Sequence, residues 1–257
     1  MSAELLINVT PSESRVALIE NGILQEIHVE RHTKRGLVGN IYRGKVSRVL
    51  PGMQAAFVDI GLEKAAFLHA SDIVIHNEIA EEVSASHIQK QDIRELVRDG
   101  QDIVVQVVKD PIGTKGARLT TDITIPSRYL VFMPSVTHVG VSQRIEEEAE
   151  RERLKSLVQE FCDENGGFIL RTAAEGVGKN ELQSDAAFLR RLWDKIQSRM
   201  KKRKSNVLYE DLPLARRVLR DFVGTELDRI RIDSKLSFNE LHQFTKEYVP
   251  EMNGKLE

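Results

Sequence analysis

"AAFVDIG" at residues 55–61 and "AAFLHAS" at residues 65–71 each set a phenylalanine behind two alanines. Both read as short strands, in which successive side chains take opposite faces. Ala56, Val58 and Ile60 share one face of the first strand, and Phe57 lies beside Asp59 on the other. Ala66, Leu68 and Ala70 share one face of the second, and Phe67 lies beside His69. Each ring therefore sits on the polar side of its strand. Two readings compete: the rings stack with a planar ligand, or they are covered by the neighbouring segment 73–91 or another domain. Two rings placed alike favour stacking.

Outward from this pair, "NIYRGKVSRVL", "QDIVVQVVKD" and "ARLTTDI" add strand-like pieces, with turn signals in "LPGM" and "DPIGTKG". One short helix, "DIRELVRD", is stopped by Gly100. About five short strands between residues 40 and 123 suit a small closed barrel of the oligonucleotide-binding type. "IVIHNEIAEEVSASHIQKQ", residues 73–91, reads as a polar insertion.

Before the barrel, "ELLINVT", "SRVALIE" and "ILQEIHVE" read as three strands, the last two joined by an Asn21-Gly22 hairpin. A basic connector, "RHTKRGLVG", follows at 31–39. After Pro126, "RYLVFMP" and "GFILRTA" read as strands. A helix over "EEEAERERLKSLVQEFCDE" buries Leu154, Leu157, Val158 and Phe161 and is ended by Gly166-Gly167. A second runs from about Asn180 to Lys202, and "KKRKSN" at 201–206 reads as a linker. The tail offers a helix ("LPLARRVLRDFV"), a strand ("LDRIRIDS") and a helix beginning near Ser237. Neither end makes a complete domain, so the two ends are expected to fold together around the inserted barrel and α/β segment.

The 257 residues suffice for two or three domains. The 37 basic and 39 acidic side chains leave a net charge of −2, so any nucleic-acid argument must be local. A single cysteine, Cys162, excludes an internal disulfide and a multi-cysteine metal site. No apolar run approaches the ~20 residues of a membrane span, and "MSAELLINVTPSES" lacks a secretory signal, which makes the cytoplasm the default expectation. The seven histidines show no metal-ligand spacing, and no catalytic constellation stands out.

On the barrel, Phe57 and Phe67 are candidates for stacking nucleobases, at ~1–3 kcal/mol per base. Arg43, Lys45, Arg48, Lys64 and Lys115 are candidates to hold phosphates, Lys115 from the glycine-flanked turn "GTKGARL". Further on, Arg171-Thr172 ends an apolar strand before "AAEGVGK". A guanidinium fork, a hydroxyl and Lys179 suit a terminal phosphate; an ion pair of Arg171 with Glu175 or Asp185 is the competing reading. "GVGK" lacks the spacing of a nucleotide-hydrolase phosphate loop.

These stretches, with "LLINVTPSESRVALIENGILQEIHVER", "VKDPIGTKGARLTTDI", "SQRIE" and "RTAAEGVGK", resemble the N-terminal half of the ribonuclease E/G family over essentially the whole chain. The resemblance implies an α+β multidomain fold. An RNase H-like subdomain (residues 1–38 and 209–257) is split by an S1-type OB-fold barrel (39–124) and a small α/β 5′-sensor domain (125–208). It implies RNA contacts at Phe57, Phe67 and Lys115, and a 5′-monophosphate site at Arg171 and Thr172 with Val131 lining it. Gln143 stands where the E branch has an arginine before "RIE", which leaves Arg144 a supporting role. The implied activity is a single-strand-specific bacterial endoribonuclease acting in rRNA 5′-end maturation and mRNA decay, at least dimeric and without a membrane span. The implied magnesium belongs to a catalytic domain beyond Glu257 and the zinc to an inter-protomer link there; neither is expected within these residues, and the chain alone is expected to be inactive. A non-catalytic single-stranded RNA-binding module and a structural protein with a protein partner are the alternatives.

Overall fold

The computed structural model describes residues 3–74, 92–163, 166–202, 205–221 and 227–257. Most of the segment read as a polar insertion, the glycine-side end of the first long helix, part of the 201–206 linker and the "FV" ending the tail's first helix lie outside the described residues.

The chain opens with an antiparallel meander, β1 (Ala3–Val9), β2 (Glu13–Glu20) and β3 (Ile23–Arg31). Asn21 and Gly22 turn the hairpin with φ of 49° and 79°, the paired left-handed geometry that a two-residue turn requires. Alternation works as the pattern demands: Leu5, Ile7, Val16 and Leu18 are buried on one face.

The barrel follows: β4 (Ile41–Leu50), β5 (Ala55–Asp59), β6 (Ala66–His69), a short helix α1 (Ile93–Leu96), β7 (Asp102–Lys109) and β8 (Arg118–Thr120). Its strands run β4-β5-β6-β8-β7, and β7 pairs back onto β4 to close the ring of five. Closure removes the open edges a small sheet would otherwise present. Val46, Ala56, Val58, Ala66, Leu68, Val105, Val107 and Leu119 fill the interior.

The chain then forms β9 (Ile125–Pro126), β10 (Leu130–Met133), β11 (Val139–Val141), α2 (Glu148–Gln159), β12 (Gly167–Leu170) and α3 (Lys179–Lys202), with sheet order β11-β12-β10-β9. On its return, β13 (Val207–Tyr209) pairs with the start of β4. The tail supplies α4 (Leu214–Asp221), β14 (Arg229–Ile232) and α5 (Lys235–Tyr248). β14 lies parallel to β1, with Glu4 opposite Arg229 and Ile7 opposite Ile232, so residues from both ends share one sheet. One apolar core runs from this sheet into the α/β segment, and a second fills the barrel.

Where the chain enters and leaves the barrel, buried Gln106 donates from Nε2 to the carbonyls of Gly39 (3.0 Å) and Thr124 (2.9 Å) and accepts from the Thr124 N–H (2.9 Å). Asn40 Oδ1 beside it accepts the N–H of Asp211 at 2.8 Å.

Several boundaries differ from the sequence reading. The last long helix begins at Lys235 rather than near Ser237, because the Ser234 hydroxyl accepts the Ser237 N–H (3.3 Å) and caps it. The strand expected over "ARLTTDI" stops at Thr120, and Ile125-Pro126 pairs instead with β10. α2 ends at Gln159, well before the glycines, where the Val158 carbonyl takes the N–H groups of both Phe161 and Cys162. Cys162 is half-buried, and burial pushes its thiol up, as suits a packed thiol.

Candidate nucleic-acid interface

Strand register builds the first site. Phe57 on β5 stands directly opposite Phe67 on β6; Arg48 of β4 stands opposite Phe57, and Arg118 of β8 opposite Phe67. The result is a cross-strand row, Arg–Phe–Phe–Arg, on the outer face of the barrel. The two rings meet edge to face, 6.3 Å between centroids at 70°. Both are half-buried and line a concavity of about 780 Å³, together with Met53, Ile112, Lys64, Lys109, Lys115 and Arg118. Met53 is 59% exposed and Ile112 74%, so flexible apolar side chains rim the rings.

The polar neighbours of the rings are used locally. Asp59 Oδ1 accepts the Gly61 N–H at 2.8 Å, and His69 Nδ1 accepts the Ser71 N–H at 3.2 Å. Lys64 Nζ donates to the Gly113 carbonyl (2.6 Å), which ties the β5–β6 turn to the loop bearing Lys115. Arg118 is held in a two-point contact with Asp72, at 2.9 and 3.2 Å. Arg43 instead turns inward to the Met200 carbonyl, while Lys45 and Arg48 stay exposed. Sequence reasoning passed over Arg118, Lys109, Met53 and Ile112. Alternation in "ARLT" carried the signal for Arg118, which faces outward between buried Ala117 and Leu119.

Gly116 sets how closely the lysine loop approaches. A Cβ there would stand 2.0 Å from the Ala65 carbonyl oxygen, a backbone atom with no freedom to withdraw. Gly116→Ala is expected to pry β8 from β6 and cost about 1–3 kcal/mol in denaturant unfolding. An unchanged midpoint would show that the loop relaxes freely.

The second group lies on the α/β sheet. Val131 faces Ile169 across β10 and β12, on the side opposite buried Leu130, Phe132 and Phe168. Arg171 continues past the end of β12, which stops at Leu170 where the sequence reading carried the strand through "RTA". Its N–H reaches the Tyr129 carbonyl (2.8 Å), and Thr172 starts a short 3-10 turn. The Arg171 guanidinium donates to the carbonyls of Ser127 and Arg128, rather than to Glu175 or Asp185. The Thr172 hydroxyl lies 3.4 Å from that of Ser142, which also accepts the Arg144 N–H at 3.4 Å. Arg171 enters a concavity of about 540 Å³ whose wall includes Arg128, His28 and Arg217 but neither Thr172 nor Val131. Phe57, Phe67 and Lys115 thus share one hollow; Arg171, Thr172 and Val131 share a sheet end. Lys179 is paired with Glu160.

Two anchors hold this sheet end. Asp185 on α3, 2% exposed, accepts from Ser127 Oγ (2.5 Å), Tyr129 N (3.0 Å) and Leu130 N (2.9 Å). Glu150 on α2 accepts the Gly176 N–H (2.8 Å) and a forked contact from Arg153, which in turn reaches the Val177 carbonyl (3.0 Å). The Arg153 guanidinium and the Gly176 N–H hold the Glu150 carboxyl down to about 2, from an ordinary value near 4.5. A depressed carboxylate stabilises above its unfolded value and stops doing so as pH falls through the folded one. The loop 171–178 is therefore expected to loosen between about pH 4.5 and 2. Amide exchange at Gly176 and Val177 reads this, and Glu150→Gln should abolish the acid step.

Among the described residues, no three His, Cys, Asp or Glu side chains gather as metal ligands. No helix among them is long and apolar enough to cross a membrane.

An S1 RNA binding domain matches residues 37–118, and the Ribonuclease E/G family matches residues 124–257. Ribonuclease G of Escherichia coli (strain K12) is 67% identical over all of this chain and 53% of its own length. Ribonuclease G of Haemophilus influenzae is 62% identical over 99% of this chain and 52% of its own. Ribonuclease E of a Nostoc species is 36% identical over 90% of this chain and 33% of its own. The chain spans about half the length of the ribonuclease G relatives it matches. With residues 37–118 matching the S1 RNA binding domain and residues 124–257 matching the family itself, the chain belongs to the ribonuclease E/G family.

Proposed function

We propose that this chain is the RNA-recognition part of a single-strand-specific endoribonuclease that senses 5′-monophosphate ends. The observation that carries the reading is the Phe57–Phe67 pair, edge to face and open to a hollow rimmed by lysines. Bases lie on such rings whatever their sequence, and cations alongside hold the phosphates. Unpaired strands suit this arrangement, since a duplex keeps its base faces stacked.

The 5′ end is assigned to Arg171 and Thr172, beside Val131 on the same sheet end. A guanidinium offers a fork that matches phosphate oxygens, and a hydroxyl adds a donor. In this arrangement Arg171 swings from the Ser127 carbonyl to the phosphate, with Arg144 in a supporting place. Seating both ends of a strand positions a downstream phosphodiester for cleavage. The metal chemistry is left to residues other than these, the magnesium to a catalytic domain and the zinc to a link between protomers. The parent protein in this reading is at least dimeric, works in the cytoplasm and acts on rRNA precursors and mRNA. Non-catalytic RNA binding is the second reading.

The test compares a single-stranded oligoribonucleotide bearing a 5′-monophosphate with its 5′-hydroxyl counterpart. The monophosphate strand is expected to bind at least about tenfold more tightly, as one charge-assisted phosphate contact of about 1.5–3 kcal/mol implies. Arg171→Ala should erase that preference while leaving 5′-hydroxyl binding intact. Equal binding of both strands by the unsubstituted chain sinks the sensor assignment, and no binding of either sinks the whole reading.

A further inference from the structure

Between the two sites lies a third concavity, of about 640 Å³, where β3, the 31–39 connector and α4 converge. It shares Asp110 with the phenylalanine hollow, and Val29, Glu30 and Arg217 with the hollow that Arg171 enters. The three concavities therefore adjoin in series, from the barrel rings to Arg171.

The middle hollow carries Arg31, Arg35 and Arg217. Arg217 is committed to Glu30, so that carboxylate is neutralised in place. Arg35 donates to the main-chain carbonyl of Asp211, a bond that orients the guanidinium without cancelling its charge. Arg31 is only loosely held, 4.0 Å from Glu13 with most of its side chain in solvent. Asp110 is pinned at the saddle by the Leu37 N–H (2.5 Å), with Gly36 pressed against its carboxyl. Two available guanidinium groups thus stand midway between a base-stacking surface and a candidate phosphate site.

We infer that this middle groove, through Arg31 and Arg35, carries the sugar-phosphate backbone of one RNA strand that occupies the phenylalanine hollow and the Arg171 end together. The inference rests on the RNA-recognition reading above and adds the path between its two sites. Backbone contacts of this kind give sequence-independent affinity that falls with salt.

The test uses the 257-residue chain, its Arg31→Ala/Arg35→Ala double variant, and two 5′-phosphorylated single strands. One strand has natural linkages throughout, and the other has uncharged methylphosphonates at its central linkages. For the natural strand the double variant is expected to bind about tenfold more weakly, with the salt slope reduced by about 0.7 for each phosphate that no longer meets a guanidinium. The unsubstituted chain should be weakened equally on the methylphosphonate strand, and the double variant should bind that strand no more weakly still. This second comparison needs no variant to fold. Full affinity of the unsubstituted chain for the methylphosphonate strand overturns the track alone and leaves both end sites standing. Failure to bind either strand overturns the track and the RNA reading together.

Discussion

Phe57→Ala combined with Phe67→Ala is expected to weaken single-stranded RNA binding by at least about 30-fold. Each stacked base contributes ~1–3 kcal/mol, so losing two costs upwards of ~2 kcal/mol. Fold loss does not account for such an effect, because both rings are half-buried on the outer face and the barrel interior is filled by other residues. The stability cost is the edge-to-face interaction and some apolar area, about 1–2 kcal/mol together. Fluorescence anisotropy with a labelled strand gives the first quantity and denaturant unfolding the second. Retained RNA affinity in a folded double variant would make this surface a protein-docking site instead. Restoring one ring at a time should return about half the lost free energy each, as neighbouring but separate platforms would.

Asp185→Ala is the second large effect, and it falls on stability. The carboxylate serves two buried backbone N–H groups and a buried hydroxyl at the start of β10, all on one oxygen. Removing it leaves the two N–H groups without an acceptor, at ~1–3 kcal/mol for each, while the Ser127 hydroxyl keeps the Leu130 carbonyl at 2.9 Å, so a loss of about 2 kcal/mol or more is expected. The damage should spread to Arg171, whose guanidinium rests on the carbonyl of Ser127. Burial pushes the Asp185 carboxyl above its ordinary range, against the pull of its three donors. A raised carboxyl is stabilising below its unfolded value, and that contribution is lost as pH climbs through the folded one. Asp185→Asn keeps an acceptor oxygen and removes the titration, so it should fold and flatten this part of the pH profile. An Asp185→Ala variant as stable as the parent would show that water or a shifted strand satisfies the freed donors.

Much of the architecture was legible because local chemistry dictates it. Asn21-Gly22 announced its hairpin through backbone freedom that few other residue pairs possess, and the alternation around Phe57 and Phe67 announced which side the rings take. Side-chain partnerships were less legible, since they join residues far apart in the chain. Lys179 looked free for a phosphate and instead pairs with Glu160, just past the end of α2. Arg43 looked like an outer cation and reaches back to α3. Asp185 was visible only as a possible partner for Arg171; its place beneath three donors depends on how α3 lies against β10. Arg171 shows the same limit: β12 stops one residue before it, and its guanidinium rests on the Ser127 carbonyl, a partner 44 residues away in the chain.

Gln106 has a consequence for the shape of recognition. By clasping Gly39 and Thr124 at once, with Asn40 gripping the returning chain at Asp211, it fastens the barrel both where the chain enters and leaves it and where the later chain passes by. A ring platform on a loose tether must search for its orientation each time a strand arrives. Here four hydrogen bonds hold the angle between the aromatic platform and the rest of the molecule, so a strand bound as proposed would spend little of its binding energy on aligning the protein.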